Sequence, residues 1–329
     1  MAITLLQIAK LETDPFKKYV VQNMIRQSKL MEIIPFEDVD SLRSIAIRWQ
    51  TLPSVAFRAI GGSYTASEGN VEFVWESVYV LGGSIQWDRV YEKVKGLIVD
   101  PIQLQVDMKL KSLTCTFLDY FINGSPATDI LGFTGLSARV ALMPARQTVY
   151  FAGASAAALD PTASVANARA FFDALEDVHG YAGDGADILV CNEFLKLGIG
   201  RVARYVGASG GSFLDVTKDN FDRQILTYKG APVVDIGLKK DQSTEIITNS
   251  ETAGDAGADA TSIYGVKFDT QQGLSGIQLG ELEVYDPFAG GDNGTTPQHQ
   301  KSFEWVVGLA GFGSYGFTRG RNVEGTAWT

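Results

Sequence analysis

Residues 207–211 read GASGG, the spacing of a serine nucleophile set between glycines, and His299 further along the chain is a candidate base for acyl transfer at Ser209. That chemistry needs a strand before the serine and a helix after it, so that a sharp turn exposes the hydroxyl. Here helix-like GRVARYV precedes Ser209 and loop-like SFLDVTKD follows it. The pattern therefore reads as a glycine-rich surface turn. The chain has two histidines, His179 and His299, neither with Cys or His at metal-ligand spacing. His179 falls where a helix is expected to end, a place that suits a cation. The acidic glycine loops GDGAD (183–187), AGDAGADA (253–260) and AGGDNG (289–294) could offer Asp184 with Asp187, or Asp255 with Asp259, to Ca²⁺. They lack the ligand ladder of a calcium loop and read as solvated turns. No phosphate-binding loop with Lys and Ser/Thr is present. No catalytic, cofactor or metal site is expected, and the chain reads as a non-enzyme.

The elements are more informative. Asp14 and Pro15 open a helix predicted over 15–31, with Phe16, Val20, Met24, Gln27 and Met31 at helical spacing. Pro35 and the acids Glu37, Asp38 and Asp40 then break regular structure, so this helix is expected on an arm ahead of the main body. From about 45 to 86 the period changes to two. VAFRAI (55–60) and VEFVWESVYV (71–80) flank turn-rich GGSYTASEGN (61–70), which predicts a long hairpin. Such a hairpin is unstable alone and must lie on something, its own body or a neighbour.

The strongest local signal runs from 100 to 122. Asp100 caps, Pro101 takes the first turn, and Val106, Leu110, Leu113, Phe117 and Phe121 recur on one face before Asn123 and Gly124 stop the helix. At ~1.5 Å per residue it is roughly 33 Å long, a spar on which sheets can pack. Beyond it, Ser164 caps a helix over 165–178, ADILVC (186–191) is a strand, and 193–205 is helical. The segment 223–237 is a hairpin turning at Lys229 and Gly230; 239–261 is a polar loop; strands follow at 262–269, 276–286 and 303–317.

Composition bounds the remainder. The 329 residues are 45% hydrophobic and 20% charged, enough for two lobes with real cores. A net charge of −10 disfavours sequence-specific DNA binding. Cys115 and Cys191 lie in apolar sequence and read as buried thiols rather than a disulfide framework. No signal peptide and no apolar run of about 18 residues is visible, so a soluble product of a cytoplasm, without membrane contact, is expected.

The order of arm helix, long hairpin, spar helix, mixed second lobe and closing strands resembles the major capsid proteins of tailed bacteriophages, with their HK97-like fold. DYFINGS running into ILGFTGL, through Ile122, Asn123, Gly124, Gly132 and Leu136, resembles that family's spine-helix terminus. LTYKGAPVV (226–234), SIYGVKF and FEWVVGLAGFGSYGF are similar to its second-lobe hairpin and last strands. The resemblance implies an α+β fold: an N-terminal arm (1–48), an extended β-hairpin loop (49–88), a peripheral domain (89–148 with 303–329) carrying the spine helix, and a mixed α/β axial domain (149–302). It implies a structural protein in hexamers and pentamers of an icosahedral shell around double-stranded DNA, located in the virion and made in the host bacterial cytoplasm. A portal, a scaffolding protein and a decoration protein would be its partners.

The extended-loop residues Phe57, Arg58, Tyr64, Glu68, Phe73 and Trp75 are then the expected assembly contacts, with Pro53 to Leu81 lying across an adjacent copy. Two departures matter. No lysine lies between Lys29 and Lys93, so covalent crosslinking from that loop is not expected. No long charged helical leader is visible, and the initial methionine favours a separate scaffolding protein. The rival readings are an encapsulin-like compartment of the same fold and a cytoplasmic serine hydrolase using Ser209.

Overall fold

The computed structural model describes residues 3–12, 15–93, 101–153, 156–207, 214–218, 224–252, 259–270, 272–286, 297–311, 313, 315–326 and 328. The chain begins with β1 (Ile3–Thr4), α1 (Leu5–Leu11), α2 (Pro15–Gln27), α3 (Lys29–Ile33) and β2 (Pro35–Asp38). Strands β3 (Arg43–Thr51), β4 (Asn70–Ser77) and β5 (Tyr79–Asp88) lead to the spine helix α4 (Pro101–Asn123) and the short α5 (Leu136–Val140). The second half contains β6 (Thr148–Tyr150), α6 (Val165–Gly180), β7 (Ile188–Cys191), α7 (Glu193–Gly207), β8 (Leu214–Lys218), β9 (Gln224–Tyr228) and β10 (Ala231–Asp235). It closes with β11 (Ala260–Val266), β12 (Leu274–Gln278), β13 (Glu283–Tyr285), β14 (Gln298–Gly311) and β15 (Phe317–Glu324).

Two main sheets organise these elements. In the first, β14 is the hub: β12 and β13 pair along it, β5 pairs with it from Asp88↔Gln298 to Tyr79↔Val307, and β2 and β1 extend the sheet beyond β12. The second runs β6-β15-β11-β7-β10-β9-β8, with β7 and β10 parallel and α7 as their crossover. Strands β3 and β4 form a separate two-stranded ribbon.

The spine helix forms because its apolar residues return every three or four positions, and Val106, Leu110, Leu113, Phe117 and Phe121 are all buried. They pack with the arm helices and the first sheet around Phe36, Phe117 and Trp305. Trp305 lies 5.1 Å from the Phe36 ring and 5.3 Å from that of Phe117, and its indole N–H donates to Gln278 Oε1 at 3.2 Å. A second core lies under α6 and α7, with Phe171, Leu175, Leu195 and Ile199 on Leu189, Val233 and Ile263. Ser164 caps α6, its Oγ accepting from Asn167 N at 3.1 Å. Cys115 and Cys191 are free and buried.

Several elements differ from the sequence expectation. The helix expected over 15–31 breaks at Ser28, which is extended (φ −145°); the break lets Leu30, Met31 and Ile34 all reach zero exposure. The arm does not stand ahead of the body, because Val20, Met24 and Ile25 belong to the first core and β1 and β2 to its sheet. VAFRAI is not a strand; β4 pairs instead with β3, whose residues 43–51 lie upstream. The strand expected over 276–286 divides at Gly280, whose φ of +74° turns the chain. The closing segment also divides, since β14 joins the first sheet and β15 the second. Phe303, Trp305, Val307 and Leu309 of β14 share the first core with the spine helix, while β15 joins the second sheet and β12 lies beside β14. Strand pairing over long sequence separations, not local pattern, decides these memberships.

Candidate assembly surface

The β3–β4 ribbon and the segment that joins its strands carry a run of exposed residues, several of them large and apolar. The ribbon's register runs from Arg43↔Ser77 to Thr51↔Asn70, which at about 3.3 Å per residue makes a ladder of about 30 Å. Residues 51–73 are exposed throughout. At the tip, Val55, Phe57 and Ile60 are 94%, 108% and 107% exposed. Tyr64, Phe73 and Trp75 are more than half exposed, and Arg58 and Glu68 are exposed beside them.

The tip is nevertheless ordered by its own polar groups. Ser54 N donates to Ser67 Oγ at 2.8 Å, and Ser67 Oγ donates to Ser54 O at 3.1 Å. Arg58 donates to Gly62 O at 3.1 Å and stacks on the Tyr64 ring at 5.1 Å. Gly62 N closes the turn on Ala59 O at 3.0 Å, with Gly61 at φ +86°. Apolar side chains are therefore presented on a preorganised support. Each large one, fully buried by a partner, would gain about 1.5–3 kcal/mol.

At its root the ribbon is anchored by charge. Glu76 is 9% exposed and Arg139 on α5 is 7% exposed; Arg139 Nη2 donates to Glu76 Oε2 at 2.9 Å, and Nη1 donates to Oε1. The same guanidinium donates to Leu309 O at 2.7 Å and Thr134 O at 2.9 Å, while Gly311 N donates to Glu76. One bidentate pair thus ties ribbon, α5 and β14 together. Sequence reasoning missed it, because nothing local marks two residues 63 positions apart as partners.

The remaining candidates have structural surroundings. Lys229 and Gly230 form the β9–β10 turn with φ of 49° and 89°, the positive pair that a two-residue hairpin with the strand twist requires. Ser209 and Asp255 lie outside the described residues. His299 is on β14 opposite Trp87, the rings 6.0 Å apart. Asp187 Oδ2 accepts from Phe268 N at 2.8 Å, a loop closure between two segments, and Asp184 is exposed. Among the described residues there is no group of three His, Cys, Asp or Glu suited to a metal, and no helix is long and apolar enough to cross a membrane. A cleft of about 660 Å³ lies between β5 and α4, lined by polar Gln86, Gln105 and Lys109 as well as Trp87, Ile102 and Met108.

No protein-family model and no curated protein matches the chain. Solved structures do. An encapsulin complex of Synechococcus elongatus is similar with a TM-score of 0.63 at 12% identity, over 92% of this chain and 89% of that one. The capsid of a native GTA particle is similar with a TM-score of 0.57 at 14% identity, over 92% and 90%. A structure from Mycobacterium phage Adephagia is similar with a TM-score of 0.56 at 9% identity, over 99% of each chain. At such identities it is the fold that is shared.

Proposed function

From the HK97-like fold of this chain, we propose that it is the major shell subunit of a tailed bacteriophage, tiling as hexamers and pentamers into an icosahedral capsid around double-stranded DNA. The observation that carries this reading is the β3–β4 ribbon. Pro53 to Trp75 holds its aromatic and aliphatic side chains in water on an ordered frame, and such a patch marks a surface for a partner to cover. Phe57, Arg58, Tyr64, Glu68, Phe73 and Trp75 are its contact residues, laid across an adjacent copy. The spine helix and first sheet form the rigid plate that receives it, and the lobe of α6 and α7 faces the ring axis. The role is structural rather than catalytic, with no cofactor. A separate scaffolding protein, a portal and a decoration protein complete the assembly.

A second reading, an encapsulin-like compartment holding protein cargo, is favoured by the likeness to the Synechococcus encapsulin. Negative-stain microscopy of the purified chain, alone and with its gene neighbours, tests both. Closed particles are expected. A monomer of about 36 kDa at every concentration and salt condition would overturn the shell reading, and particles filled with a co-purifying protein instead of DNA would select the compartment.

A further inference from the structure

Helices α6 and α7 cover the same face of the second sheet, α6 over β6, β15 and β11 and α7 over β10. Their exposed stripes carry opposite charge. On α6, Asp173, Glu176 and Asp177 are exposed at i, i+3 and i+4 in the last two turns. On α7, Arg201 and Arg204 are exposed between Leu197, 57% exposed, and Tyr205, 46% exposed.

The arginines suit their own helix end, but the acids oppose theirs. Three carboxylates at the negative end of a helix dipole, spaced as like-charged neighbours, destabilise α6 locally. Intramolecular relief is partial. Lys229 Nζ reaches Glu176 at 2.5 Å, in a pair whose side chains are 48% and 61% exposed and so strongly screened. Arg169 is the only arginine or lysine of α6 and lies a turn before Asp173. His179 is held toward its neutral form, chiefly by burial, and adds little positive charge.

A ring needs a heterologous contact, in which one surface of each subunit meets a different, complementary surface of the next. We infer that the acidic stripe of α6 docks against the Arg201–Arg204 stripe of α7 in the neighbouring copy, forming the contact that closes each capsomer. This rests on the shell reading above and specifies its interface. Leu197 and Tyr205 supply the apolar part of the contact, and the charges set partner choice and register.

Charge reversal tests it under conditions where the unaltered chain forms particles. Asp173→Lys with Asp177→Lys places cation against cation, and Arg201→Asp with Arg204→Asp places anion against anion. Each double variant is expected to need at least a tenfold higher concentration to assemble. Combining all four changes in one chain restores complementarity and assembly. Mixing the two double variants gives rings that must alternate, so hexamers form and pentamers do not. Wild-type assembly by either double variant overturns the inference. So does failure of the four-fold variant to assemble while circular dichroism and melting show it folded. Should a reversal variant not fold, Asp173→Asn with Asp177→Asn keeps the test: unchanged salt dependence of assembly overturns the contact, and a flattened one supports it. An unaltered chain that makes no particles sinks the shell reading instead.

Discussion

Phe57→Asp separates a folding role of the ribbon from an assembly role. Phe57 is 108% exposed in the single chain and lies outside both ribbon strands, so it contributes no packing to the monomer. Its replacement should change unfolding free energy by no more than about 0.5 kcal/mol, a melting shift of roughly 1–2 °C for a chain this long. On the proposed shell reading the same position is covered by an adjacent copy. Losing the phenylalanine forfeits about 1.5–3 kcal/mol per contact, and a carboxylate forced into the covered site adds a desolvation cost of several kcal/mol. Since about 1.4 kcal/mol is a factor of ten, each contact weakens by at least 10–100-fold, and a ring repeats the loss in every subunit. Phe57→Leu retains most of the apolar area and serves as control. Sedimentation velocity and negative-stain microscopy at matched concentration should show particles for the original chain and for Phe57→Leu, and slow-sedimenting species for Phe57→Asp. Normal particles from Phe57→Asp would refute the argument, and so would a melting point lowered by ten degrees, which would place Phe57 inside the fold.

Other perturbations test the support beneath the ribbon. Arg139→Leu leaves Glu76 as a buried charge without its guanidinium; a loss of about 3–5 kcal/mol is expected in urea unfolding, with faster hydrogen exchange across β4. Leu110→Ala, at a position with zero exposure under the first sheet, should cost about 2–5 kcal/mol by the same measurement. Gly230→Ala strains a backbone at φ +89° and should lower stability, whereas Lys229→Gly at φ 49° should be tolerated apart from the exposed Glu176 contact. Burial first, and then a hydrogen bond that its protonated carboxyl donates to Glu12, raises the carboxyl of Glu281 above its ordinary 4.5. A raised carboxyl pKa means the folded chain holds its proton more tightly. The resulting stabilisation is complete below pH 4.5 and is lost as pH rises through the folded value. Glu281→Gln should therefore melt higher than the original chain at pH 7, with the difference vanishing by pH 4; a constant difference across that range would contradict the assignment.

What could be read from the order of residues was whatever their neighbours enforce. The spine helix was visible because Val106, Leu110, Leu113, Phe117 and Phe121 repeat within the helix that uses them, and the Lys229–Gly230 turn because a two-residue hairpin makes its demand on adjacent φ angles. The charges of α6 and α7 were equally present in the sequence, but their placement side by side on one sheet face was not. Pairing was decided by the tertiary structure alone. VAFRAI looks like a strand yet has none beside it, since β4 finds its partner in residues 43–51. β14 and β15, separated by a few residues, enter different sheets because each meets its hydrogen-bond partners from distant parts of the chain. The Glu76–Arg139 pair persists because folding brings the two side chains face to face and supplies further hydrogen bonds that offset the cost of leaving water, and neither local sequence carries a mark of that meeting.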